Sequence, residues 1–181
     1  LAYELRSVAL GEGAHLSPEY LAVNPNHQVP TLIDGEVKIH ESNAILRYLC
    51  RKHDLKDWYP DDLKIRANVE QWLDWGQCRL SPSVVDIVLN TVFLGDQGDK
   101  NAIARGHEQM TELSPILDKG LEGRDFLAGS SPTIADLAIA SNISHLALAQ
   151  AAPKQANIVN WLERVCAIEG FRKTLPQLNA A

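Results

Sequence analysis

A chain of 181 residues can build one good core or two small domains. Its 45% hydrophobic and 22% charged residues are those of an ordinary globular protein, and a formal charge of −6 offers no electrostatic case for nucleic acid or an anionic membrane as partner. No apolar run approaches the length of a membrane span, no cleavable signal is visible, and the three cysteines, Cys50, Cys78 and Cys166, lack metal-ligand or redox spacing, so they read as small core residues in a reduced, cytoplasmic setting.

The first stretch, Leu1 to Leu10, alternates and carries β-branched content, which predicts a strand over Tyr3–Leu10. With no initiator Met and no polar lead-in, it reads as a start in mid-domain. Gly11 to Tyr20 is a loop feeding a short helix, with Ser17 as N-cap and Pro18 in the first turn. His15 stands in that loop, where a lone histidine is ordinarily just solvated.

Asn24 to Leu49 holds three elements. Val29 to Ile33 is a short run rich in β-formers, Asp34-Gly35 is a favoured two-residue hairpin turn, and Val37-Lys38-Ile39 alternates as a returning strand. A helix follows, with Ile45, Tyr48 and Leu49 on one face and Glu41 and Ser42 at its start. A proline entering a strand removes a ladder donor. If the Val29-Pro30 bond is cis, it turns the Val29 backbone outward, leaving its N–H and C=O free for an extended peptide-like ligand. At the helix start, the Ser42 hydroxyl, free backbone N–H groups and the positive dipole end favour a carboxylate, and Glu41 adds an acceptor for an ammonium. An α-amino acid end would suit both. Taken singly, each feature is ordinarily only a cap or a turn residue. Their spacing is what points to a site.

Periodicity lapses from Arg51 to Asp62, a charged stretch ending Trp58-Tyr59-Pro60, which reads as an interdomain linker whose aromatic pair packs on the second domain. Beyond it only helical patterns recur. Ile65, Val69, Trp72 and Leu73 predict a helix from about Leu63 to Leu80. Ser81-Pro82 either starts a fresh helix or kinks one long one, which Val84 to Leu89 continues. Trp72 and Trp75, three apart, read as core and crevice wall. Ile103, Met110, Leu113, Leu117 and Leu121 mark a helix ending at Gly123, and Ile158, Trp161, Leu162 and Val165 mark a last one over about Gln155–Ile168. Between them, Thr133 and Asp136 form a capping box, a folding device. The predicted organisation is a mixed α/β domain over 1–54, a linker over 55–62 and an all-helical domain over 63–181. The six histidines show no i, i+4 pairing that would suggest zinc, and there is no nucleophile elbow, phosphate loop or dinucleotide fingerprint.

Asn-Pro-x-x-x-Val-Pro-Thr-Leu from Asn24, Asp34-Gly35, and Glu-Ser-x-Ala-Ile-x-x-Tyr-Leu from Glu41 together resemble the glutathione-binding half of the cytosolic glutathione S-transferases. Gly13-Ala14-His15-Leu16-Ser17 and Trp58-Tyr59-Pro60 are similar to that family's theta class, and Thr133-x-x-Asp136 followed by Leu-Ala-Ile-Ala resembles the core helix of its second domain. The resemblance implies an N-terminally incomplete thioredoxin-like domain followed by an all-helical one. It implies that Pro30 is cis, that Val29 binds the cysteinyl backbone of glutathione, that Glu41 and Ser42 hold the γ-glutamyl end, and that His15 and Gln28 meet the glycyl end, although theta-class members often have Lys where Gln28 stands. It also implies a first strand and helix ahead of Tyr3–Leu10 that carry the catalytic Ser, Tyr or Cys, which nothing in this chain replaces. Arg79 is the nearest candidate to assist the thiolate. The acceptor site would lie against the Trp75–Val84 helix. The implied function is conjugation of glutathione, as cosubstrate and without metal, to small hydrophobic electrophiles by a cytoplasmic homodimer. A non-catalytic glutathione-binding scaffold and a glutathione-dependent dehalogenase or reductase share the same motifs.

Overall fold

The computed structural model describes residues 1–175. The predicted helical domain reaches to residue 181, and residues 176–181 lie outside those described. Backbone contacts divide the chain after Asp54 into two compact units.

The first unit is built on a hairpin and a helix. Strands β1 (Thr31–Asp34) and β2 (Val37–His40) pair antiparallel with Thr31 opposite His40 and Asp34 opposite Val37. The two-residue turn is Gly35-Glu36 and not the expected Asp34-Gly35, because Asp34 stays in β1 and pairs with Val37; Gly35 sits in it at φ 62°, a left-handed conformation that glycine adopts without a Cβ penalty. Ahead of the hairpin, α1 (Pro18–Leu21) starts as its residues dictate, with Pro18 in the first turn and the Ser17 hydroxyl accepting the Tyr20 N–H at 3.2 Å. Helix α2 (Ser42–Lys52) follows β2 and buries Cys50. The strand predicted over Tyr3–Leu10 does not form. Residues 1–9 carry no regular structure, Leu10–Glu12 is one 3-10 turn, and Tyr3 and Leu5 are exposed. An alternating pattern makes a strand only where a neighbour supplies ladder bonds, and no described strand pairs with this stretch.

A three-membered lock ties the hairpin turn to the far end of α2. Asp34 Oδ2 accepts from the Tyr48 hydroxyl at 2.8 Å and pairs with the Lys52 ammonium, two groups four residues apart on one helix face. The bond from Lys52 first, then that from Tyr48, holds the Asp34 carboxyl below the usual aspartate range, and Asp34 in turn raises both Lys52 and Tyr48.

In the second unit, residues 55–62 pack onto helices. The Trp58 carbonyl accepts the Ile134 N–H at 3.0 Å, Tyr59 bonds Glu70, and the Arg66 guanidinium lies 4.8 Å over the Tyr59 ring. Helix α3 (Leu63–Trp75) is capped by Asp62, whose carboxylate accepts the N–H groups of Lys64 and Ile65. Ser81-Pro82 does not begin a fresh helix. Backbone dihedrals stay helical through a π segment (Gly76–Leu80) into α4 (Ser81–Val88) and a second π segment (Leu89–Phe93). The Ser81 N–H bonds back to Gly76 across the wide turn. Pro82 has no N–H to give and its ring crowds the carbonyl four residues back, so a widened turn just ahead of it is the conformation that keeps the helix running. Cys78 falls on the outside of this segment and is exposed, and Cys166 is half-buried, so only Cys50 of the three is the core residue expected. Trp72 is buried and meets the half-buried Trp75 edge-on, with centroids 5.2 Å apart.

Helix α5 (Lys100–Leu121) packs on α4 so closely that a Cβ on Gly106 would sit 2.9 Å from the Ser83 carbonyl. At the centre runs α6 (Ile134–Leu148), which buries Ile134, Ala135, Ile139, Ala140, Ile143 and Leu146. Helices α7 (Ala156–Cys166) and α8 (Glu169–Arg172) close the described residues, α7 facing inward with Ile158, Trp161 and Val165. The capping box forms at the start of α6 and does more than cap. Asp136 is fully buried; its Oδ2 accepts from the Thr133 N–H and hydroxyl at 2.8 and 3.0 Å, and its Oδ1 from the Leu127 N–H and the Trp161 indole, both at 2.8 Å.

Two outcomes follow from these contacts. Asp136→Ala orphans four buried donors and is expected to destabilise the second unit by about 3 kcal/mol or more. All four tryptophans lie in that unit, so urea unfolding followed by their fluorescence reads it alone. An Asp34 pKa below its unfolded value means a stabilising contribution that is present above the unfolded carboxylate range and lost as pH falls through the folded value. Lys52 and Tyr48, both raised, contribute below their unfolded values and lose it as pH rises through the folded ones. A carboxyl NMR titration should place the Asp34 midpoint below that of an unpaired aspartate, and Lys52→Met should move it up.

Candidate binding site

Four of the residues singled out in the sequence, Val29, Pro30, Glu41 and Ser42, stand next to the ends of the hairpin strands. The pairing ends with Thr31 opposite His40, so Val29-Pro30 ahead of one strand and Glu41-Ser42 after the other flank the open end of the hairpin, away from the Gly35-Glu36 turn. The Val29-Pro30 bond is cis, Val29 is 43% exposed, and neither its N–H nor its C=O is hydrogen-bonded among the described residues. An extended backbone meeting that pair of groups would gain a donor and an acceptor at one residue.

On the β2 side of the same end stands the start of α2. Glu41 has φ 69° and ψ 112°, a sparsely populated conformation for a residue with a Cβ, which costs on the order of 1–3 kcal/mol and persists only where the surroundings impose it. Here the imposition is local: β2 ends at His40, the Glu41 carbonyl already accepts the Ile45 N–H at 3.0 Å, and the chain must turn within one residue from strand to helix. The Glu41 side chain does not cap the helix, and first-turn amides have no intrahelical acceptor. Glu41 and Ser42 are both exposed. Their hydroxyl, carboxylate and amide groups form a surface that offers donors to an anion and an acceptor to a cation side by side.

His15 lies in a 3-10 turn, Ala14–Leu16, half-buried, with its Nδ1 shielded from solvent and without a hydrogen-bond partner among the described residues. Its ring is tilted at 46° against that of His27, centroid to centroid 6.4 Å, and His27 is joined directly to Gln28. His15, Gln28, Val29, Pro30, Glu41 and Ser42 thus belong to one unit.

Two residues that position this site have no role in the sequence reading. Asn24 is 1% exposed, and its amide nitrogen donates to the Gln28 carbonyl at 2.8 Å and to the Thr31 hydroxyl at 3.1 Å. Its amide oxygen accepts from the Asn26 N–H at 3.0 Å. The Tyr20 hydroxyl donates to the same Gln28 carbonyl at 2.6 Å. A buried amide clamping residues 26–31 is what replaces a strand ladder where Pro30 cannot contribute. The available signal was a polar Asn before Pro25 between a helix and a strand, a pattern shared with ordinary turns.

The remaining expectations fall in the second unit. Arg79 is exposed in the π segment Gly76–Leu80. An apolar cleft of about 350 Å³ runs along Val84, Val88, Leu89 and Phe93 and is closed by Asn142 and His145 of α6. His145 Nδ1 is 2.6 Å from the Ser141 carbonyl and must donate to it, which leaves Nε2 as the free nitrogen. Among the described residues there is no group of three or more His, Cys, Asp or Glu that could hold a metal, and no helix is long and apolar enough to cross a membrane.

Residues 1–51 match the glutathione S-transferase N-terminal domain and residues 80–169 its C-terminal domain. The chain is 35% identical over 178 residues to glutathione S-transferase theta-1 of Homo sapiens, spanning 94% of this chain and 74% of that one. It is 39% identical over 139 residues to the human theta-2 protein, spanning 74% and 57%. The crystal structure of glutathione transferase F2 from Populus trichocarpa superposes with a TM-score of 0.85 at 26% identity over 96% of this chain and 85% of that one, and the apo form of human glutathione S-transferase T1-1 with 0.83 at 32% over 92% and 73%. The fold is thus the one shared by those proteins, a thioredoxin-like N-terminal domain with a small sheet followed by a helical domain. With the motifs, the hairpin end and the buried capping box all in place, this chain belongs to the glutathione S-transferase family, among its theta-like members.

Proposed function

We propose that the protein binds glutathione at the open end of the β1–β2 hairpin and conjugates its sulfur to small hydrophobic electrophiles. The observation that carries this reading is that the unpaired Val29 backbone and the Glu41-Ser42 helix start flank the same end of one hairpin. A tripeptide with an extended cysteinyl residue and a free α-amino acid end needs both. The Val29 N–H and C=O take the cysteinyl backbone. Ser42 and the α2 amides take the γ-glutamyl carboxylate, and Glu41 takes the ammonium. His15, with its unpartnered nitrogen, and Gln28 take the glycyl end.

Only the thiolate attacks well, and lowering a thiol pKa by two units needs about 2.7 kcal/mol of selective stabilisation. Arg79 is the residue of this chain assigned to that task. Attack forms the carbon–sulfur bond, the displaced group departs with the bonding pair, and the thiol proton goes to solvent. The apolar cleft beside His145 supplies the kind of surface a hydrophobic electrophile requires. The working form is a cytoplasmic homodimer that uses the Leu63–Leu89 helix, and its association is supported by the exposed apolar Leu63 and Ile65, which lie outside that cleft.

Retention on immobilised glutathione tests the site. The protein is expected to bind, and Ser42→Ala to weaken binding by about tenfold or more through loss of a charge-assisted hydrogen bond. Asn24→Ala, which touches no ligand in this reading, is expected to weaken binding as well while raising amide exchange across residues 26–31. No retention would overturn the reading. Conjugation to a chloronitrobenzene tests the chemistry: Arg79→Ala should lower turnover at neutral pH and shift its rise to higher pH, and turnover unchanged by that substitution would remove Arg79 from the mechanism. Sedimentation returning a single chain mass at micromolar concentration would exclude the dimer.

A further inference from the structure

The apolar cleft of the second unit has a polar end, and every polar side chain there stands on α6. His145 comes four residues after Ser141 and three after Asn142, which sets the three on one helix face. Val85, Leu89 and Phe93, at successive intervals of four, form the apolar wall with Val84 and Val88.

The helix's own carbonyls decide what this polar end offers, because a carbonyl only accepts. His145 Nδ1, 2.6 Å from the Ser141 carbonyl, carries the single ring proton of the neutral imidazole. Nε2 is then a lone pair with no hydrogen bond among the described residues. Asn142 is turned the same way. Its amide nitrogen donates to the Ala138 carbonyl at 3.0 Å, so its Oδ1 is the acceptor left over. The cleft thus ends in two acceptors beside the Ser141 hydroxyl, which can turn either way. Among the described residues no Lys, Arg, Asp or Glu lines it.

Such an end sorts ligands by their chemistry. A carbonyl or ether oxygen brings lone pair to lone pair at Nε2, and a carboxylate or an ammonium brings a charge that nothing in the cleft offsets. A neutral hydroxyl gives Nε2 a hydrogen bond while the body that carries it lies on the valines and Phe93. The cleft's volume of about 350 Å³ has room for a substituted ring, since a cavity of about 150 Å³ already holds benzene.

We propose that His145 sets the selectivity of this cleft, which takes a neutral single-ring electrophile bearing a hydroxyl that donates to Nε2, in preference to the same molecule with the hydroxyl methylated. That the occupant is an electrophile rests on the conjugation reading; that it is a hydrogen-bond donor does not. With a benzylic chloride the thiolate forms the carbon–sulfur bond, chloride leaves with the bonding pair, and the thiol proton goes to solvent.

Unreactive ligands test the selectivity first. NMR titration of the full chain at about pH 8.5, where an ordinary imidazole is neutral, uses para-methylbenzyl alcohol and its methyl ether. Both are expected to shift amides in 84–93 and 141–145, the alcohol binding about fivefold tighter. Ring-nitrogen spectra should show the His145 proton on Nδ1, and the alcohol should move the Nε2 resonance. His145→Phe should bind the two ligands alike. With glutathione present, kcat/KM for para-(chloromethyl)benzyl alcohol should exceed that for its methyl ether by a similar factor, and the factor should vanish in His145→Phe. Preferential binding of the alcohol with neither chloride conjugated would uphold the selectivity and overturn the conjugation reading alone. Failure of the alcohol to saturate, equal binding of alcohol and ether, a preference that survives His145→Phe, shifts confined to other regions, or a proton on Nε2 would each overturn the proposal.

Discussion

The carboxylate of Asp136 accepts four hydrogen bonds where no residue surface is exposed, and the second unit is arranged around it. Thr133 fixes where α6 begins, Leu127 fixes the loop before it, and Trp161 fixes α7 against both. A buried carboxylate is costly unless every donor it meets is well placed. Once met, the same requirement admits one arrangement of α6, its preceding loop and α7. The apolar residues of α6 then pack around a helix whose start is already determined. Nothing in hydrophobic burial alone would set that start, because α6 buries side chains on several faces.

The first unit meets the same demand with an amide instead of a carboxylate. Asn24 bonds the Gln28 carbonyl and the Thr31 hydroxyl on one side and Asn26 on the other, a loop that has no strand partner. The Val29 backbone is left unpaired at the loop's exposed edge, while the Gln28 carbonyl beside it is satisfied by Asn24 and Tyr20. Rigidity behind the site and unpaired groups at its surface come from the same few bonds.

Much of this was legible in the residues. Asp34-Gly35 marked the hairpin but not its register, since Asp34 pairs with Val37 and the loop is Gly35-Glu36; the open end of that hairpin is flanked by Val29-Pro30 and Glu41-Ser42. Ser17-Pro18, Thr133-x-x-Asp136 and the periodic apolar residues of α5 and α7 marked those helices. The misses have definite causes. Tyr3–Leu10 alternates like a strand, but pairing is a property of a neighbour and not of the stretch itself. Ser81-Pro82 reads equally as a start or a bend, and the wide turn at Gly76–Leu80 that lets the helix run through has no sequence period of its own. Cys78 was placed inside on composition, yet the π segment turns it out. Asn24 looked like any turn asparagine, since its partners lie on residues that only the fold brings within reach.

Every residue assigned to gripping the backbone and ends of glutathione lies between His15 and Ser42, in one continuous stretch closed by a single hairpin. Such a stretch can be inherited as a block. Substitutions along α4 to α7 are free to reshape an acceptor cleft without touching the residues that grip the cosubstrate, so the constant half of the reaction and its variable half can drift at different rates. A lineage that duplicated this chain could diversify what it attacks while retaining what it attacks with.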